Sequence, residues 1–110
     1  MIPEKIKVGG MMYETRIIPN LYKDRSIFGE VTYSDQIIKI AGDVSEQRQF
    51  NTFIHELTHA ILFEAGDMSD QDEAYVRRFS NLLTQLMIDN KWSMGNEKSH
   101  NLKSLNKEAG

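Results

Sequence analysis

The chain contains no cysteine. Disulfides and thiolate metal sites are both excluded, so any metal ion must be held by nitrogen and oxygen ligands. Concentrated positive charge is missing as well. Lys and Arg total 13 against 16 Asp and Glu, a formal net charge of −3. A general nucleic-acid binder needs a basic face that this balance does not supply. No apolar run approaches the roughly 20 residues that cross a bilayer. The opening MIPEKIKV has no long apolar core of the secretory-signal kind. These absences lead us to expect a cytoplasmic protein that binds neither membrane nor nucleic acid directly.

What is present is ordinary soluble composition, 40% hydrophobic and 26% charged over 110 residues. That length supports one domain with a single modest core. The patterned region is residues 1–92. Residues 93–110 (SMGNEKSHNLKSLNKEAG) form a polar tail, expected to be frayed or to carry a short helix near Leu102 to Lys107.

Along the chain, Lys5 to Val8 alternates polar and apolar residues as a half-buried strand does. Gly9-Gly10 signals a hairpin turn into Met11 to Ile18, where Tyr13, Thr15 and Ile17 share one side. Leu21 to Arg25 is a connector or a short helical turn. Ile27 to Tyr33 and Gln36 to Ala41 are two further strands around Ser34-Asp35. Gly42 ends the last of them, and Asp43 or Ser45 then caps a helix, Asp43 having capping-box spacing to Glu46. That helix ends at Gly66, the residue type favoured just beyond a helix C-terminus. A second helix is expected from about Asp70 to Asp89, with Ser69 and Asp72 at capping-box spacing. Tyr75, Phe79, Leu82, Leu83 and Leu86 make its apolar stripe. Strands followed by helices indicate an α+β fold.

The first of these helices carries the chemistry. His55-Glu56-Leu57-Thr58-His59 is an H-E-x-x-H motif in a run of helical periodicity. Imidazoles four residues apart project on one face, about one turn apart, and can bind one metal ion. Glu56 projects about 100° from His55, within reach of a water at the metal but not of a ligand position. Phe53, Ile54, Leu57 and Ile61 fall within about 60° of Phe50, while the histidines lie on the far side, flanked by Leu62 and Phe63. A helix apolar on both sides is covered on both sides. We therefore expect a sheet on one flank and the second helix on the other.

A catalytic zinc takes three protein ligands and keeps a position open for water. With His55 and His59 as two, the third must come from the packed second helix, whose first turn offers Asp70, Asp72 and Glu73. Glu73 is favoured, because Asp72 stands where a side chain caps backbone amides. Asp72 is the alternative, and acidic residues also enrich helix starts for electrostatic reasons alone. The expected chemistry is hydrolysis by a zinc-activated water, with Glu56 as general base. Tyr75, Arg77, Arg78 and His100 are chemically able to serve as a second electrophile. If Gln36 to Ala41 lies at a sheet edge, an extended peptide can pair with it.

The pieces FGEVTYSDQIIKI, FIHELTHAIL and DEAYVRRFSNLL together resemble a small zincin metallopeptidase of the Glu-ligand class. The similarity is closest to ImmA/IrrE-like and phage-encoded zincins, over roughly Phe28 to Asn90. The resemblance implies His55, His59 and Glu73 as zinc ligands and Glu56 as catalytic acid/base. It also implies a small antiparallel sheet of three to four strands on the metal helix. A peptide or protein substrate, such as a repressor in a phage or mobile-element setting, is a further implication. SprT-like zincins share the motif but usually carry a third histidine ligand and basic DNA-binding surfaces, and this chain has no comparable basic region. Two functions remain open: a zinc peptidase, and a non-enzymatic, metal-stabilised binding protein on the same scaffold. Glu56 favours the first, because a closed structural zinc site has no use for an adjacent base.

Overall fold

The computed structural model describes residues 2–92. The expectations for the tail at 93–110, and for His100 within it, lie outside the described residues. Strand β1 (Lys5–Val8) and strand β2 (Met11–Ile18) form the expected antiparallel hairpin. Gly9 and Gly10 sit at φ +58° and +85°, the left-handed conformation that a tight two-residue turn demands at both positions. A five-residue helix α1 (Leu21–Arg25) follows. Strands β3 (Gly29–Thr32) and β4 (Ile37–Ala41) then make a second antiparallel hairpin.

The sheet order is β1-β2-β4-β3. Strand β4 pairs with β2 in parallel, from Glu14 opposite Ile37 to Ile18 opposite Ala41. The sheet is therefore mixed, not antiparallel as expected. The chain leaves β2, travels through α1 and β3, and returns along the direction it had left, which is the long connection a parallel pair requires. Burial explains why β4 takes the inner place. Its Ile38, Ile40 and Ala41 are fully buried, whereas every residue of β3 is only half-buried. Strand β4 is thus enclosed on both sides and β3 is the edge strand, so the condition for a peptide to pair with Gln36 to Ala41 is not met.

Helix α2 (Glu46–Glu64) lies across the sheet. Ser45 is its N-cap, accepting from the Arg48 amide at 3.1 Å. Asp43, the other candidate, instead accepts from the Tyr22 and Lys23 amides at 3.1 and 2.8 Å, tying the start of α1 to the link before α2. Phe50, Phe53, Ile54 and Leu57 pack with Val8, Tyr13, Ile38 and Ile40 to form the core. Ile61, at the same helical angle, is nearly half exposed, at a groove it shares with Ile6 and Val8. Gly66 follows the helix at φ +72°. Beyond it Asp67 caps a single 3-10 turn, Met68–Gln71, by accepting from the Ser69 amide.

Helix α3 (Glu73–Asp89) starts three residues later than expected. Asp72 is its N-cap and accepts from the Tyr75 amide at 3.1 Å. Because Asp67 starts the 3-10 turn and Asp72 starts α3, Ser69 does not cap a helix. The helix also turns a different face inward. Val76, Ser80, Thr84 and Met87 are buried, with Leu83 packed at the core's margin. Of the expected stripe, Tyr75, Phe79, Leu82 and Leu86 are exposed, Leu82 by 74%. Sheet, α2 and α3 stack in that order, with α2 covered on both flanks as its sequence predicts. Among the described residues no helix is long and apolar enough to cross a membrane.

Candidate metal centre

Helical spacing brings the two imidazoles of α2 together, with ring centroids 5.0 Å apart. Both face the first turn of α3. There Glu73 places Oε1 2.6 Å from His55 Nε2 and Oε2 3.0 Å from His59 Nε2. One donor atom from each residue lies within 4.8 Å of the others, so this group could hold a metal ion. The fit also follows from donor chemistry. Two neutral nitrogens and one carboxylate are a common set for a divalent cation with open positions. The group is partly open to solvent, since the Glu73 side chain is 54% exposed.

The competing acids are committed elsewhere. Asp72 is occupied with its cap, and Asp70 accepts from the Tyr33 hydroxyl at 3.3 Å. Tyr33 is in turn stacked on Phe63, with centroids 4.0 Å apart. Burial, reinforced by Asp70, pushes the Tyr33 hydroxyl above its ordinary range, so it remains a protonated donor. Glu73 alone among the three turns toward the histidines, and it does so in preference to Arg77 at the i+4 position of its own helix.

The His55 ring is held from behind. Its Nδ1 lies 3.3 Å from the Ser80 hydroxyl, which also donates to the Arg77 carbonyl at 3.3 Å. Ser80 can therefore accept from Nδ1–H while donating onward, the arrangement that would present Nε2 to a metal ion in place of its contact with Glu73. Burial lowers the His55 pKa, against the opposing pull of Glu73, and favours the neutral ring a metal needs. Among the described residues His59 has no such anchor, and its Nδ1 is buried without a hydrogen-bond partner.

Glu56 is only 8% exposed. Burial, then Glu73 and Glu30, push its carboxyl up to about 8. It lies under the first residue of β3. A Cβ on Gly29 would stand 2.6 Å from both the Lys39 carbonyl and Thr52 Cγ2, and 3.6 Å from Glu56 Cγ. Glycine at this position lets the edge strand approach the motif helix closely. Glu56, His55 and Glu73 line one cleft of about 440 Å³ between α2, α3 and the segment leading into β3.

Of the residues considered for a second electrophile, Arg77 lines this cleft. Tyr75 faces Phe79 on the outer side of α3, and neither it nor Arg78 lines the cleft. Ser80 and Tyr33 were not singled out from sequence. Ser80 had a usable signal, since it lies seven residues after Glu73 on the same helical face. Tyr33 had none, because its role depends on the fold bringing Phe63 and Asp70 beside it. Compared with protein-family models, curated proteins and solved structures, the chain finds no match.

Proposed function

We propose that the chain is a zinc-dependent peptidase of the zincin kind, related to the small ImmA/IrrE-like and phage-encoded enzymes that its motifs resemble. The observation that carries this reading is the converging donor set of His55, His59 and Glu73, with His55 and Glu73 opening onto the cleft that the buried carboxyl of Glu56 also lines. When bound, the zinc supplies Lewis acidity to the substrate carbonyl and to a water.

The remaining work falls to side chains. Ser80 fixes the His55 ring, and Glu73 bridges the two histidines from the facing helix. Glu56 accepts the proton released by the attacking water and delivers it to the leaving amine. Burial raises its pKa in the metal-free chain, and a cation held beside it would draw that value down again, to where a carboxylate can take a proton and return it. Arg77 lines the same cleft, one turn of α3 beyond Glu73, and adds positive charge to it. A protein substrate, such as a regulatory protein of a mobile element, is the class the resemblance favours.

The test combines metal analysis with turnover of an unstructured protein substrate. Wild type is expected to carry about one zinc per chain and His55→Ala to lose it, as a three-ligand site requires. Glu56→Gln should keep the zinc and lose turnover by about 100-fold or more. Full zinc with unchanged turnover in Glu56→Gln would remove the proposed base. Zinc without turnover in wild type would instead favour a metal-stabilised binding protein.

A further inference from the structure

The cleft extends beyond the metal-binding group, and its far half is basic. Arg48 from α2 and Arg77 from α3 line it together with Asn51 and Asn81. Among the described residues, neither guanidinium lies within ion-pairing distance of a carboxylate. Arg77 has an acid available at the favourable helical spacing, yet Glu73 is turned to the histidines instead. Arg48 is not loose, since its guanidinium sits 4.7 Å from the centre of the Phe28 ring. Stacking of this kind fixes the cation and leaves its in-plane N–H donors available. Between the two arginines, the Asn51 amide donates to Asn81 Oδ1 at 3.2 Å and to Thr84 Oγ1 at 3.3 Å. That bond occupies the Asn81 oxygen and leaves its NH₂ as the group offered to a ligand.

We propose that this half of the cleft is a subsite for a carboxylate carried by the substrate, close to the bond positioned at His55, His59 and Glu73. The proposal rests on the peptidase reading for its substrate class, but not for its binding chemistry. Two planar guanidiniums and an amide donor, in a cleft shared with a cationic metal, match an anionic, planar, two-oxygen acceptor. They give no advantage to a neutral or cationic side chain. The cleft volume of about 440 Å³ has room for a short stretch of peptide and not for a folded domain. The carboxylate has two natural sources, an Asp or Glu side chain within a peptide or the free C-terminus of one.

The experiment is calorimetric titration of zinc-loaded Glu56→Gln protein with three acetylated peptides. One is Ala-Ala-Asp-Ala-Ala amide and the second Ala-Ala-Asn-Ala-Ala amide. The third has the second sequence with a free C-terminus. At least one carboxylate peptide should bind about 10- to 100-fold more tightly than the neutral one, as charge-assisted bonds from arginine allow. Whichever is tighter identifies the source. Arg48→Gln and Arg77→Gln, each added separately, should erase most of the difference while zinc content stays unchanged. Equal affinities, no binding by any peptide, or a preference that survives both arginine changes would overturn the proposal. The two readings fail separately. Carboxylate preference without cleavage by wild type removes the peptidase assignment alone, whereas cleavage without that preference removes the subsite alone.

Discussion

Helices α2 and α3 are of similar length and both carry apolar residues at three- and four-residue spacing, yet they meet opposite surroundings. In α2 the stripe Phe50, Phe53, Ile54, Leu57 is buried against the sheet. In α3 the stripe Tyr75, Phe79, Leu82, Leu86 faces outward, and the inward face is Val76, Ser80, Thr84 and Met87. The difference lies in what each helix must meet. The face of α2 toward α3 is not greasy. It presents Asn51, His55 and His59, and a helix packing there must bring small and hydrogen-bonding side chains. Ser80 answers His55, and Thr84 answers Asn51. Hydrophobic periodicity identifies the buried side of a helix only when its neighbour is apolar.

Truncation at equivalent depth gives the sharpest contrast. Phe53 is fully buried under the sheet, so Phe53→Ala should cost about 3–5 kcal/mol in urea denaturation. A loss below about 1 kcal/mol would mean that α2 is not the centre of the core.

The next effect depends on pH and concerns the polar face of α2 without metal. The Glu56 carboxyl titrates near 8 in the folded chain against an ordinary value of 4.5. The native state therefore keeps a proton that the unfolded state has lost, and stability falls as pH rises between those values. Glu56→Gln removes that penalty. Chelator-treated variant and wild type should differ little at pH 5, whereas the variant should be more stable by a few kcal/mol at pH 9. Urea midpoints at the two pH values measure this, and a gain that does not grow with pH would contradict the burial of Glu56.

On the inner face of α3, Ser80→Ala removes the bond behind His55. Zinc affinity, measured by competition with a chelator, should fall about 10- to 100-fold with the helix intact by circular dichroism. An unchanged affinity would make Ser80 a packing residue only. The smallest effect belongs to the outer face. Leu82→Ala should change stability by less than about 0.5 kcal/mol. A cost close to that of Phe53→Ala would show that something covers the stripe, and the contrast between the two helices would disappear.

These cases mark how far the sequence could be read. Both hairpins were legible because their turns are signalled locally, by Gly9-Gly10 and by Ser34-Asp35. The His55, His59 and Glu73 group was legible because helical spacing alone puts His55 beside His59, and because Asp72 is better suited to capping than to ligation. The parallel pairing of β2 with β4 was not, since no local pattern states which strands become neighbours. The inward face of α3 was hidden for a different reason. Its burial follows from hydrogen bonds to another helix, and a serine or threonine looks the same in sequence whether buried or solvated. The 3-10 turn before α3 was missed because Asp67 and Asp72 each cap a separate segment within six residues, where the capping-box spacing of Ser69 and Asp72 suggested a single helix start.

The seam between β2 and β4 also bears on how the molecule assembles. Its partners are separated by everything from Pro19 to Gln36, so the chain must give up the freedom of that whole excursion before the first hydrogen bond across the seam forms. The β3–β4 hairpin carries no such entropic debt, being closed by a turn of a few residues. Strand order thus leaves each ribbon closed by a short local turn, while their lateral joining must close the longer loop.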